Sequence, residues 1–146
     1  MSTTAIDILT KEFYNTISFK NSVVPDVTSL HAIFYGEGLM INNSFEEPQS
    51  YTAESFVQDL ESQVALGETQ QLLQRELASK TEVFGKVAQR TSIYEYTFAD
   101  YQPEVMPRGI NFIQYVMVGE SWHITSMVWN DENENYQIPK EYQMQR

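Results

Sequence analysis

The chain has 146 residues, enough for one domain with a single core and no dependence on a disulfide or metal staple. It carries 20 acids against 9 bases, a formal charge of −11, with no cysteine and only two histidines. Disulfides and thiolate zinc sites are thereby excluded, no metal is expected, and nucleic acid is disfavoured as a partner because its phosphates call for clustered Lys and Arg.

Ile6, Leu9, Phe13 and Ile17 recur at helical spacing and predict a first helix that runs to about Asn21. Thr4 is placed to cap it, and Asp7 falls in the first turn. Asp26 follows Pro25 and opens a second, short helix with Val27, Leu30, His31 and Phe34 on one face. Gly36 and Gly38 are expected to end it. Residues 39–42 and 45–51 then read as two short strands around Asn43 and Ser44. A third helix carries Ala53, Phe56, Val57, Leu60 and Val64 as its apolar stripe, with Thr52 as cap and Gly67 as stop.

Beyond residue 71 the pattern becomes β. Residues 72–84 and 87–98 flank Gly85 and Lys86, and residues 110–118 and 121–129 flank Gly119 and Glu120. Both pairs fit a type II′ hairpin turn with glycine first. The tail from residue 130 is polar apart from Ile138, Pro139 and Tyr142. Helix, helix, short hairpin, helix and a four-stranded meander make an α+β domain spanning residues 1–146.

The last hairpin bears on function. If Val118 faces Ser121, then Ile110, Phe112, Gln114 and Val116 share a face with His123, Thr125, Met127 and Trp129. Ile113, Tyr115 and Met117 share the other with Trp122, Ile124 and Val128. Three helices cover one face only, and a second apolar face marks an interface. The expectation is a homodimer packed through Ile113, Tyr115, Met117, Trp122 and Ile124.

The run Phe84-Gly85-Lys86-Val87-Ala88-Gln89, with Ser92, Tyr94 and Glu95 after it, resembles a recurrent signature of uncharacterised bacterial nuclear transport factor 2-like (SnoaL-like, cystatin-like) proteins. So do Arg108-Gly109-Ile110-Asn111-Phe112-Ile113-Gln114, the set Trp122, Ile124, Ser126 and Trp129, and Ile138-Pro139-Lys140-Glu141-Tyr142. The resemblance covers nearly the whole chain. It implies a cone in which three N-terminal helices pack on a strongly curved antiparallel sheet, with an open end that often holds an apolar pocket. It also implies relatives as different as ketosteroid isomerase, polyketide cyclases, scytalone dehydratase and binding modules, so the fold does not choose the function.

Isomerase chemistry of that kind needs carboxylates in an apolar pocket. By the resemblance those places hold Asn43 and Gln114, and neither amide is a general base. His31, with Tyr14 or Glu76, is the remaining candidate for acid–base work. The more ordinary reading of His31 is a hydrogen-bonded residue at the boundary of helix and core. Asp26 reads best as an N-cap, Glu76 as a pocket acid, a solvent-facing residue or a partner of Arg90, and Asn111 as structural. The smallest expected pocket is Tyr14, His31, Phe112, Gln114, Met127 and Trp129, with Gln114 bound either to Thr125 or to a ligand. The acidic run Asp131, Glu132 and Glu134 reads as a solvated loop.

Three functions fit these residues: a dimeric protein binding a small, mostly apolar molecule without cofactor; a cofactor-free lyase, isomerase or cyclase using His31 and Tyr14; and an interaction dimer with a filled cone. No apolar stretch approaches the roughly 20 residues of a membrane span. The N-terminus lacks a basic start and apolar run, which predicts a cytoplasmic protein.

Overall fold

The first helix, α1 (Thr4–Ile17), turns Ile6, Thr10, Phe13, Tyr14 and Ile17 inward. It stops four residues short of the expected end because the next backbone is used elsewhere. Phe19 exchanges both main-chain hydrogen bonds with Leu72, at 2.8 and 3.0 Å. The capping residue is Thr3 rather than Thr4, and its side chain makes no capping bond. In α2 (Val27–Ile33) Asp26 is the N-cap, accepting from the Thr28 amide at 3.2 Å and the Ser29 hydroxyl at 2.9 Å. Those two bonds, Ser29 first, hold its carboxyl below the usual range. The structure is a computed structural model and describes residues 2–100 and 103–143.

Phe34 belongs not to α2 but to β1 (Phe34–Asn42). Gly36 and Gly38, expected to end the helix, lie inside this strand at φ +64 and +78. They kink it where its register against a neighbouring strand shifts. The Phe34 ring occupies the space that a Gly38 Cβ would need, 2.7 Å from its Cδ1. After β2 (Gln49–Tyr51) comes α3 (Ala53–Ala65), closed at its start by a reciprocal capping box of Thr52 and Ser55.

Four long strands follow: β3 (Leu73–Phe84), β4 (Val87–Thr97), β5 (Arg108–Val118) and β6 (Ser121–Asp131). Phe84 pairs with Val87 and Val118 with Ser121, so both two-residue turns form as expected, with Gly85 and Gly119 at positive φ. The tail contains a short helix, α4 (Lys140–Gln143), where only polar tail is expected from the sequence.

The strands form one sheet in the order β2-β1-β6-β5-β4-β3. Every neighbouring pair is antiparallel except β1 and β6, which run parallel. The expected sheet was antiparallel throughout. After β2 the chain crosses by α3 to the far edge and meanders back, so β6 meets β1 in the same direction.

The expected face assignment fails at one residue. Gln114 pairs with Ser126 and Tyr115 with Ile124, which leaves Thr125 without a partner in β5. This β-bulge shifts the alternation of β6 by one position. Met127 and Trp129 thereby join Asn111, Ile113 and Tyr115 on the inner face, while Val128 turns outward with Phe112 and Gln114.

The residues expected at a dimer interface are therefore core. Ile113, Tyr115 and Ile124 are 0%, 2% and 0% exposed. Met117 and Trp122 are half-buried on the same inner side. Ile113, Tyr115, Ile124 and Trp122 pack with Ile6, Phe13, Leu30, Ile33 and Val57 from the three helices. The outer face keeps Phe112 at 55% exposure, with Val87, Val118, Val128 and Leu39 also exposed. The tail covers only one end of it, where Ile138 and Tyr142 pack on Ala78, Ile93 and Ile110.

Candidate functional site

Two polar clusters lie on the inner face, one sealed and one open. The sealed cluster is built by α1, β3 and β4. Arg90 is 4% exposed in its side chain and donates to both oxygens of Glu76, at 2.5 and 3.0 Å. It also donates to Asp7 at 2.6 Å and to the Thr81 hydroxyl at 2.8 Å. Ser92 donates to Glu76 at 2.6 Å and shares a 2.8 Å bond with the Tyr14 phenol. Burial alone would lower the proton affinity of the guanidinium, but the bonds from Glu76 and Asp7 outweigh it. Glu76 is thus the partner of Arg90, one of the roles expected for it.

This environment decides the fate of Tyr14. Its phenol is 2% exposed, and burial, only partly offset by the Ser92 bond, raises it well above the usual range. His31 sits exposed on α2 beside Val27, Thr28, Ala32 and Glu54. The proposed acid–base pair is not assembled: one member is in the core and the other on the helix's solvent side. Gln114 is exposed on the outer face, where Ser126 donates to its side chain at 3.3 Å and Thr125 to its backbone carbonyl at 3.2 Å. Phe112 is also outward. Asn111 is buried beside Met127, donating to its sulfur at 3.4 Å. Of the six expected pocket residues, only Trp129 lines the cavity at the open end of the cone.

That cavity holds about 430 Å³. Its walls come from β1, β2, α3, β3, β4 and β6. Tyr94 and Tyr96 on β4, and Phe98 just past its end, follow one another at alternate positions. Their rings step along the wall at 6.1 and 5.9 Å between centroids. Tyr51 and Phe56 face them as an edge-to-face pair at 5.7 Å. A larger cavity of about 580 Å³ lies by the outer face, between loop residues such as Phe45 and tail residues such as Tyr136. Trp129 and Asp131 border this cavity as well, but the Tyr94 and Tyr96 rings do not.

The open cluster sits in the cone-mouth wall. Asp131 accepts from the Tyr94 phenol at 2.6 Å and from the Tyr96 phenol at 2.9 Å, one on each oxygen. Its amide donates to Ser44 at 2.8 Å, which anchors the end of β6. Burial, and then the negative charge of Asp131, push both phenols far above their ordinary values and keep them protonated as donors.

The geometry depends on Gly109. Tyr94, Gly109 and Asp131 form one cross-strand row over β4, β5 and β6. The Tyr94 ring crosses the bare glycine to reach the carboxylate, and a Cβ there would collide with its hydroxyl. Sequence reasoning missed this cluster because Asp131 heads an acidic run that reads as loop. Two signals were present: the Tyr-x-Tyr-x-Phe alternation at 94, 96 and 98, and a glycine within the strand that follows.

Helices over the concave side of one curved sheet, with a cavity at its open end, define a cone-shaped α+β domain. This is the nuclear transport factor 2-like, cystatin-like fold. A cystatin-like protein of unknown function from Nostoc punctiforme superposes with a TM-score of 0.67 at 12% identity, covering 90% of this chain and 91% of that one. A nuclear transport factor 2-like protein of unknown function from Pseudomonas putida gives 0.65 at 12%, covering 95% and 96%. One from Silicibacter pomeroyi gives 0.61 at 18%, covering 90% and 100%. No family model and no curated protein sequence matches the chain.

Proposed function

We propose that this protein binds a small, mostly apolar molecule in the cone mouth and works as a homodimer. The observation that carries the binding reading is Asp131, held by two phenols in the wall of an aromatic cavity. Apolar walls with a few converging polar groups are what a ligand site requires. A cavity of about 430 Å³ also falls within the usual range for small ligands, about 300–1,000 Å³.

The dimer reading moves to the outer face of the sheet. Phe112 and Val128 are cross-strand neighbours there, with Leu39, Val87 and Val118 exposed around them. A two-fold interface places the same patch on both partners, so a face poor in charge suits a chain of −11.

Native mass spectrometry of the purified protein, followed by denaturing release, tests both readings. The expected result is a dimer carrying a discrete small molecule, with Phe112→Asp converting it to a folded monomer. A wild-type monomer at micromolar concentration would remove the dimer. A protein that carries nothing, and whose Trp129 fluorescence responds to no small arene, would remove the pocket.

A further inference from the structure

The chemistry of the cavity wall narrows the ligand class. Asp59, Glu68 and Asp131 line the cavity, and among the described residues no Lys, Arg or His does. None of the three forms a salt bridge among those residues. Asp59 accepts from Gln63 at 2.8 Å, and Asp131 accepts only phenol protons at its side chain. An ionised carboxylate offers about four lone-pair sites, and the two phenols use one on each oxygen of Asp131.

The other walls combine rings, among them Tyr51, Phe56, Tyr96, Phe98 and Trp129, with Leu60, Leu72 and uncharged amides such as Gln63 and Gln74. Ring faces carry negative potential and attract cations, tryptophan most strongly. Carboxylates and aromatic faces therefore act in the same direction, and an anion would meet both with repulsion. The carboxylates are not gathered as a metal site, since no group of three or more His, Cys, Asp or Glu is placed to hold a metal ion among the described residues. A strongly acidic surface also raises the local concentration of cations at the entrance.

We propose that the cone mouth is a site for a small organic cation, an amine or quaternary ammonium on an apolar body, with the positive group between Asp131 and the Trp129 ring. The proposal rests on the pocket reading above and specifies its ligand.

The test uses the full-length protein and three probes that share one ring: benzyltrimethylammonium, neutral benzyl alcohol and anionic phenylacetate. Binding is read by calorimetry and by quenching of Trp129, with Trp129→Phe as the control for signal from Trp122. The cation is expected to bind about tenfold tighter than the alcohol, with phenylacetate weakest. Asp131→Asn should remove most of that tenfold preference while leaving the alcohol's affinity in place. Asp59→Asn is the second variant should Asp131→Asn fail to fold, and it should reduce the same preference. Equal binding of cation and alcohol would overturn the cation assignment and leave the pocket standing. Tighter binding of phenylacetate would overturn it as well. If no probe binds, the pocket reading falls and the cation assignment falls with it.

Discussion

The sealed and the open clusters use the same parts to different ends. Each sets tyrosine hydroxyls and a carboxylate on the inner face of the sheet. Around Arg90 every charge is answered, with Glu76 and Asp7 on the guanidinium and Ser92 linking on to Tyr14. Around Asp131 two phenols stand where a cation could, and one side of the cluster opens onto a cavity. A polar group satisfied on all sides holds a fold together. A carboxylate with no cationic partner at a cavity wall is, on the reading proposed above, the group that meets a ligand.

The largest expected effect tests the sealed member. Arg90→Leu leaves Glu76 without its cation inside the domain, and breaking a buried pair from one side costs about 3–5 kcal/mol. Urea denaturation should show a loss of that order. A loss below about 1 kcal/mol, the level of an exposed pair, would mean that the cluster is solvated and the contrast unfounded.

Next in size is the alkaline limit. Tyr14, Tyr94, Tyr96 and Tyr115 are all raised above the usual phenol value, chiefly by burial. A group whose folded value lies above its unfolded one, about 10 for tyrosine, favours the fold fully below that pH and loses the contribution above it. Stability should be insensitive to these tyrosines up to about pH 10 and then fall. Phenolate absorbance from the four should appear together with the loss of near-ultraviolet circular dichroism. Asp131 adds to burial at Tyr94 and Tyr96, whereas the hydrogen bonds shared with Ser92 and Thr10 oppose it at Tyr14 and Tyr115. Gradual ionisation of all four within an intact fold would break the comparison.

The smallest effect belongs to the open member. Asp131→Asn keeps an oxygen for one phenol and should cost about 1 kcal/mol in the same urea experiment. A loss equal to that of Arg90→Leu would show that Asp131 serves the fold rather than the cavity.

Much of the fold was legible because its signals are local. The two glycine-led turns set the meander, and the stripe of Val57 and Leu60 with the Thr52 cap set α3. The faces of β6 were not legible, because one unpaired residue, Thr125, reverses the alternation beyond it. Nothing in the Ile-Thr-Ser-Met run distinguishes a bulge from a regular strand, since both expose the same residue types at a half-buried surface. Ile113, Tyr115 and Ile124 were thus expected on an interface, and Phe112 and Gln114 in the pocket, whereas the first three are core and the other two face outward. Trp129 kept its expected place because Thr125 and Trp129 fall on opposite sides of the reversal. Asp131 was hidden for a related reason. Its role exists only through Tyr94, 37 positions away in sequence, and across a glycine that shows no side chain to read.

The bare backbone at Gly109 also makes the site adjustable. Everything above it, from the Tyr94 ring to the edge of the cavity, rests on an absent methyl group. Restoring that methyl would lift the ring from its seat and release Asp131 from one of its two phenols. One carbon in the middle of a strand thus separates this wall from a different one, since the added Cβ would displace both the Tyr94 ring and the Asn130 carbonyl.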